Sequence, residues 1–251
     1  MITYEYPLIE RVRTLLRLED LFDRIGYFLA REDFHEHHIV LHTMFEILEV
    51  ASRAELKSEL LQELERQRKS IGAFKGNPEI DQTVLIRVLG ELDAAHSGLF
   101  GLSGKFGQHL RDNEWLMGLK QRMSIPGGAS EFDQPHYHHW LHRTPAERIA
   151  DLQAWITPLV PIHNAVVAVM RLLRESGKPS RVVAARGAFQ QMLGGRVAQM
   201  VRLRVDDKVN EVPEISANRY ALNVRFTALG AEPRPRQAAS DIEFELVFCS
   251  L

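Results

Sequence analysis

The chain has 251 residues, of which 45% are hydrophobic and 25% charged. It therefore has enough apolar residues to form a substantial hydrophobic core, and this apolar content is higher than is typical of a disordered protein. The formal net charge of −2 conceals an asymmetry: residues 178–251 hold 11 Lys and Arg against 8 Asp and Glu, a net +3, whereas residues 1–177 hold 20 against 25, a net −5. We expect a cytoplasmic protein with no membrane partner, because no apolar run approaches the roughly 20 residues of a membrane span and the N-terminus does not read as a signal peptide.

Apolar residues at helical spacing predict amphipathic helices over the first 177 residues. The first begins near Pro7, the second covers about 37–50, and the third opens on an S-x-x-E capping box formed by Ser52 and Glu55.

Further helices are predicted at about 81–95 and 115–122. A second capping box, Thr144 with Glu147, starts a helix that Pro158 and Pro161 must break or kink before it resumes and stops at Gly177.

Beyond residue 179 the apolar period changes from 3.6 to 2, which predicts strands at 201–205, 222–226 and 242–248. The stretch 181–189 is a further candidate strand, and Gly194-Gly195 is a candidate tight turn after it. The expected fold class is α+β, with an N-terminal α-helical domain (1–177) packed with a smaller C-terminal antiparallel β domain (178–251). Because a few strands with one apolar face are not stable alone, we expect the helical part to cover the sheet.

Two histidine clusters are the strongest enzymatic signal. His38 and His42 are four residues apart, as are His138 and His142, so each pair could share a helix face and supply two zinc ligands. Neither cluster completes a known metal motif, and we predict no metal, no cofactor and no catalytic residues. A histidine-based metalloenzyme stays open as an alternative.

Other catalytic signals fail on inspection. The glycine-rich segment 98–106 resembles a phosphate-binding loop, but Leu99 and Phe106 stand where the pattern requires glycine and Ser or Thr, and a helix rather than a strand precedes it. The single cysteine, Cys249, lies in an apolar run and is predicted to be buried.

Arginines on the predicted strands are the main binding candidates. Arg202, Arg204 and Arg225 alternate with core-facing residues, and Arg219 precedes the strand that holds Arg225. They could contact an anionic partner or pair across strands with Glu243 and Glu245, and the sequence leaves both open. A nucleic-acid partner is not expected, since the pI is near 6.6 and no binding motif appears, although it remains the third alternative.

A long motif lies in the middle of the chain. It reads S-I-P-G-G at 124–128, continues through Phe132, Asp133 and Pro135, and ends in W-L-H at 140–142. This string resembles the signature of the ZapD family, bacterial division proteins that bind FtsZ. Further agreement spans nearly the whole chain, at Pro7-Leu8, Arg13-Thr14, Glu59-Leu60-Leu61, Glu63-Leu64, Gly107-Gln108, Leu110-Arg111 and Val224-Arg225-Phe226.

The resemblance implies a homodimer that holds the C-terminal tail of FtsZ on a basic surface and cross-links FtsZ protofilaments at the midcell Z-ring. Positions that match this surface are Arg53 and Arg225, with Arg219 nearby, so that the surface would be shared between the two domains. The chain departs from the family pattern at Ala221, where an arginine is expected.

Overall fold

The computed structural model describes residues 1–52, 55–195, 197–228 and 236–251. These residues form two compact units. The helical unit is Thr14–Met170, and the β unit combines Met1–Arg13 with Arg171–Leu251. The α+β class predicted from the sequence is confirmed. The predicted boundary at residue 177 lies close to the later boundary of the β unit, but the first 13 residues belong to that unit as well.

The helices follow one another between the first and second strands of the chain. Their bounds are α1 (Glu10–Leu29), α2 (Phe34–Ser52), α3 (Leu56–Gly72), α4 (Gln82–Phe100), α5 (Gln108–Arg111), α6 (Glu114–Met123), α7 (Pro135–Leu141), α8 (Pro145–Ile156) and α9 (Val160–Glu175).

Side-chain caps fix several helix starts. The carboxylate of Asp81 accepts hydrogen bonds from the backbone N–H of Thr83 and Val84 at 2.8 and 3.3 Å, which satisfies donors that the first turn of α4 leaves unpaired. The predicted capping box of Thr144 and Glu147 is confirmed at α8, with Pro145 in the first turn.

The predicted breaks of the later helices are also found. A turn of 3-10 helix at Thr157–Leu159 contains Pro158 and separates α8 from α9, which confirms the helix break predicted from Pro158 and Pro161. The glycine-rich segment 98–106 continues the end of α4 into a loop before α5.

Two predicted helix starts are wrong. The first helix begins at Glu10 rather than near Pro7, because residues Ile2–Pro7 form a strand. Ser52 does not cap α3: it ends α2, and its hydroxyl donates to the carbonyl of Glu49 at 2.8 Å. The residue before α3, Glu55, makes no side-chain cap hydrogen bond. The S-x-x-E pattern therefore marks the end of one helix rather than the start of the next.

Leucine-rich faces of the helices form the core of the helical unit, and its aromatic centre lies around Trp140. Three aromatic rings lie 6.0–6.1 Å from the ring of Trp140, those of Trp115, Tyr137 and Trp155, and the rings of Trp115 and Trp155 lie 5.6 Å apart. The indole N–H of Trp140 donates to Asp151 at 2.9 Å. Trp140 is 5% exposed, so it anchors this part of the core.

The segment Pro145–Glu175 alone, among the described residues, is long and apolar enough to cross a membrane by length and composition. However, 56% of its most apolar stretch is buried inside the protein, and buried core helices pass the same test.

The β unit contains two antiparallel sheets. One has the strand order β1-β4-β8-β2, and the other has the order β3-β6-β5, with a short seventh strand paired to the end of β6. The strands are β1 (Ile2–Pro7), β2 (Ser180–Ala184), β3 (Ala188–Met192), β4 (Met200–Val205), β5 (Val212–Ala217), β6 (Ala221–Ala228), β7 (Arg236–Gln237) and β8 (Ile242–Cys249).

The apolar faces of the two sheets form one buried cluster. It joins Leu203 and Phe244 of the first sheet with Val224 and Phe226 of the second, and the rings of Phe226 and Phe244 lie 5.3 Å apart. All residues of this cluster come from the β unit. Within the β unit, the two sheets thus bury their apolar faces against each other.

The predicted strand 181–189 is in fact two strands. The chain turns between β2 and β3 at Arg186 and Gly187, which have φ of 48° and 72°, and thereby passes from one sheet to the other. The predicted turn at Gly194-Gly195 is confirmed, with φ of 54° and 82°. Cys249 is buried, as predicted.

Candidate partner-binding surface

Five arginines are the predicted contacts for an anionic partner, and the structure separates them into different environments. Arg53 lies outside the described residues. Arg202 and Arg204 lie on the outward face of the β1-β4-β8-β2 sheet, whereas Arg225 lies on that of the other sheet, because their neighbours in sequence point into the shared core.

Arg202 belongs to a structural ion-pair network. Its Nε lies 2.9 Å from Glu5, the residue directly opposite on β1, and Arg174 donates twice to the same carboxylate at 2.8 Å. Burial alone would raise the pKa of Glu5, but the hydrogen bonds and charges of Arg174 and Arg202 outweigh it and lower that pKa. The side chain of Arg202 is only 16% exposed, so this arginine is mainly committed to holding β1.

Arg204 pairs across strands with Glu245, its register partner on β8, at 3.6 Å. This is one of the two pairings that the sequence left open. Its side chain is 40% exposed, so a pair of this kind contributes at most about 1 kcal/mol and leaves Arg204 accessible.

Arg225 lies on the middle strand of its sheet, opposite Glu214 of β5 on one side and Ala188 of β3 on the other. Its Nε is 3.4 Å from Glu214, and both side chains are about half exposed, at 54% and 51%. The carboxylate beside Arg225 is therefore Glu214, and not Glu243 or Glu245, the two carboxylates considered as cross-strand partners from the sequence.

A cleft of about 750 Å³ surrounds Arg225 on this outward face. The next row of the sheet places Gln190, Asn223 and Ser216 side by side, and these neutral side chains supply hydrogen-bond donors and acceptors. We call the whole set the outer face, formed by Ala188, Gln190, Glu214, Ser216, Asn223, Arg225 and Gln237.

Arg219 lies in the tight turn between β5 and β6. Its guanidinium carbon lies 4.4 Å from the centroid of the Tyr220 ring, and it also donates to the hydroxyl of that tyrosine. Asn218 holds the turn, since its side-chain oxygen accepts from the backbone N–H of Tyr220 and of Ala221. Arg219 is thus an exposed and oriented cation near one end of β6.

Ala221 begins β6 on the same face as Arg225, about 14 Å away at 3.4 Å per residue. Its register partner on β3 is Met192, which is 68% exposed, and the neighbouring Tyr220 is 55% exposed. Met192 therefore adds an exposed apolar side chain beyond the outer face, past the uncharged polar residues that follow Arg225, and the exposed ring of Tyr220 lies in the adjacent turn.

Sequence reasoning missed Glu214, Tyr220 and Met192. The alternation in the β5 segment Val212–Ala217 is short and interrupted by Pro213, and proline in a strand is typical of a sheet edge. Only the pairing of β5 with β6 brings Glu214 to Arg225.

The S-I-P-G-G segment forms a turn after α6, in which Gly128 N–H donates to the carbonyl of Ile125 at 2.9 Å. Gly127 has a φ of 72°, in the left-handed region that glycine adopts without strain. Gly128 is needed for another reason: a Cβ there would lie 2.4 Å from the backbone oxygen of Arg122.

The histidines mostly have structural partners. His37 is buried and hydrogen-bonded to Arg148, and His38 bonds to the hydroxyl of Tyr137 at 2.7 Å. The rings of His138 and His142 lie 4.4 Å apart. No group of three or more His, Cys, Asp or Glu suited to a metal ion occurs in the part of the chain that the structure describes.

Comparison with known proteins gives a consistent result over the whole chain. The family model for ZapD, described as a cell division protein, matches residues 16–225. A protein named cell division protein ZapD from Azoarcus sp. (strain BH72) is 54% identical over 251 residues, with 100% of both chains covered. Proteins of the same name from Janthinobacterium sp. (strain Marseille) and Aromatoleum aromaticum are 49% and 51% identical, covering all of this chain and 100% and 98% of theirs. The chain belongs to the ZapD family of cell division proteins.

Proposed function

We propose that this chain binds the C-terminal tail of FtsZ and, as a homodimer with two such sites, cross-links FtsZ protofilaments into bundles at midcell. In this proposal it acts in the cytoplasm by binding and has no catalytic step. Membership of a cell division family supports the cellular role. The observation that carries the site is the half-exposed guanidinium of Arg225 in a polar cleft, where it is the only cation among the described lining residues and Glu214 the only carboxylate.

The chemistry of the outer face suits a short extended peptide with acidic and apolar residues. A guanidinium offers forked N–H donors to a carboxylate, and the amides beside it can pair with peptide backbone groups. Met192 and Tyr220 supply apolar surface at the other end, where Arg219 adds a second cation. Arg204 and Arg53 remain proposed contacts, and Arg202 is the weakest of the five because Glu5 already neutralises it.

Weak single sites are compatible with tight attachment to a polymer. Two sites on one dimer that meet tails along neighbouring filaments gain roughly 10²- to 10⁴-fold in avidity over one site. Exposed charge contacts are screened within about 8 Å at physiological ionic strength, so we expect bundling to weaken as salt increases.

The site can be tested by sedimentation of FtsZ polymers with the wild type and with Arg225→Glu. We expect the wild type to pellet with the polymers and the variant to pellet much less, while its urea unfolding curve stays unchanged. Arg53→Glu is a second variant with the same expected result. Lys208→Glu is the matched control, because it makes the same charge reversal on an exposed turn of the same unit.

Normal pelleting of both arginine variants would remove this site assignment. Absence of the wild type from the pellet would remove the proposed function itself.

A further inference from the structure

The net charge of the cleft around Arg225 depends on Glu214, the residue that balances the arginine. Among the described residues that line the cleft, Arg225 is the only cation and Glu214 the only carboxylate. Their formal charges cancel, so this part of the surface offers an approaching acidic peptide no net positive charge. Tight binding of a carboxylate alone would not require a second carboxylate, that of Glu214, beside the arginine.

Glu214 is held beside Arg225 by a second contact. One carboxylate oxygen lies 3.4 Å from Arg225 Nε, and the other accepts a hydrogen bond from the hydroxyl of Thr227 at 3.2 Å. Thr227 is 5% exposed and lies on the middle strand, so it is a rigid anchor. The Glu214 carboxylate is therefore held in position by two residues of the neighbouring strand β6, Thr227 and Arg225.

The guanidinium can still accept a ligand. Glu214 faces Nε, and no hydrogen bond joins the two terminal nitrogens of Arg225 to any residue that the structure describes. A peptide carboxylate can bind those nitrogens, but it then lies close to a second negative charge. Like charges at such a site oppose binding, which is a common way to discriminate between ligands.

We propose that Glu214 is a specificity-determining residue of the peptide site, whose charge weakens the binding of acidic peptides at Arg225. This rests on the proposed function. An isolated carboxylate gains little at such a site, and a ligand must also use the neutral row of Gln190, Asn223 and Ser216 or the exposed apolar side chain beyond the outer face. One site alone then binds weakly, so that stable attachment requires two sites and an array of tails.

The test is the affinity of a fluorescently labelled FtsZ C-terminal peptide for the wild type and for Glu214→Gln. Glutamine keeps the side-chain length and an oxygen that can accept from Thr227, but it removes the charge. Since an exposed pair of charges changes an equilibrium constant by up to about fivefold, we expect Glu214→Gln to tighten binding by about three- to fivefold. We also expect its affinity to fall more steeply with salt than that of the wild type, because the site gains a net positive charge.

Two further variants make the result specific. Glu79→Gln removes one negative charge from an exposed loop of the other unit and should leave the affinity unchanged. In an Arg225→Gln background, Glu214→Gln should have less than about a twofold effect, because the two residues act on the same ligand group.

Binding by the wild type that Glu214→Gln leaves unchanged or weakens would overturn this role while leaving the proposed function intact. Failure of both proteins to bind the peptide would overturn the role together with the function.

Discussion

Arg148 donates from Nε to Nδ1 of His37 at 3.0 Å, which fixes His37 as a neutral imidazole. Because Nδ1 accepts, Nε2 carries the proton and donates to the backbone oxygen of Arg31 at 2.7 Å. The other N–H groups of Arg148 bind the carbonyls of Glu32, Leu141 and Arg143. A buried cation and a buried histidine thus tie two loops of the helical unit together.

The His37–Arg148 pair predicts loss of stability in mild acid. Burial, and then the charge of Arg148, lower the pKa of His37 below its ordinary value of 6.5, and burial lowers the pKa of His38 and His163 as well. The unfolded chain therefore binds more protons than the folded one below about pH 6.5. The stabilisation is complete above that pH and is lost as the pH falls towards the folded-state values.

Urea unfolding at pH 7.5 and 5.5 measures this effect. We expect a lower midpoint at pH 5.5 with an unchanged slope. His37→Gln should be less stable at pH 7.5 but should lose less stability between the two pH values. An equal loss in the variant would show that His37 does not contribute.

Glu5 is predicted to be the main electrostatic support of β1. Glu5→Gln leaves two partly buried arginines, Arg174 and Arg202, without their carboxylate. Breaking a fully buried pair costs roughly 3–5 kcal/mol, and because these groups keep some solvent contact we expect a loss of about 2 kcal/mol at pH 7.

The pH dependence of Glu5 has a defined sign. Its pKa is lowered on folding, so its contribution is complete above its ordinary value of 4.5 and is lost as the pH falls through the folded-state value. Glu10→Gln is the control, since its pair with Arg13 is exposed and should be worth less than about 0.5 kcal/mol. Similar losses for the two variants in urea unfolding would refute the distinction.

The two glycines of the S-I-P-G-G segment should differ in their tolerance of alanine. Gly127→Ala meets no atom within 4 Å and should cost about 1 kcal/mol, from its positive φ alone. Gly128→Ala must displace the backbone at Arg122, and we expect a cost of about 2–3 kcal/mol.

Gly118→Ala provides the opposite control. This glycine lies inside α6 with nothing within 4 Å of a new Cβ, so alanine should stabilise the protein by about 0.5–1 kcal/mol. The free energy of unfolding should therefore be highest for Gly118→Ala, lower for Gly127→Ala and lowest for Gly128→Ala. A Gly128→Ala protein as stable as the wild type would contradict the proposed backbone clash.

Ala221→Arg is predicted to strengthen binding of an acidic peptide. Ala221 is only 6% exposed, so the long arginine side chain must extend past its register partner Met192 to present a cation to solvent, on the same face as Arg225 and about 14 Å from it along β6. We expect tighter peptide binding with a steeper salt dependence, measured by fluorescence anisotropy. Ala94→Arg makes the same substitution at an exposed position of α4, so equal tightening by both variants would point to net charge rather than position.

Local sequence signals predicted much of the fold. The capping box at Thr144, the proline break at Pro158 and the alternation around Leu203 and Val224 each depend on neighbours within a few residues, and all are found. The failures are non-local. Nothing near Ile2 indicates that it pairs with Val205, about 200 residues later in the chain.

The candidate site was predictable only in part for the same reason. Alternation placed Arg225 on an outward face, but its neighbour Glu214 is set by the register of β5 against β6. Arg202 matched the same alternation as Arg204, yet a strand from the N-terminus brings Glu5 to it and reduces its exposure to 16%.

The proposed function is tested most directly by electron microscopy of FtsZ filaments assembled with this protein, with intact FtsZ and with FtsZ that lacks its C-terminal tail. We expect bundles with intact FtsZ, single filaments with the truncated form, and single filaments with intact FtsZ when Arg225→Glu replaces the wild type. Equal bundling of intact and truncated FtsZ would contradict attachment through the tail.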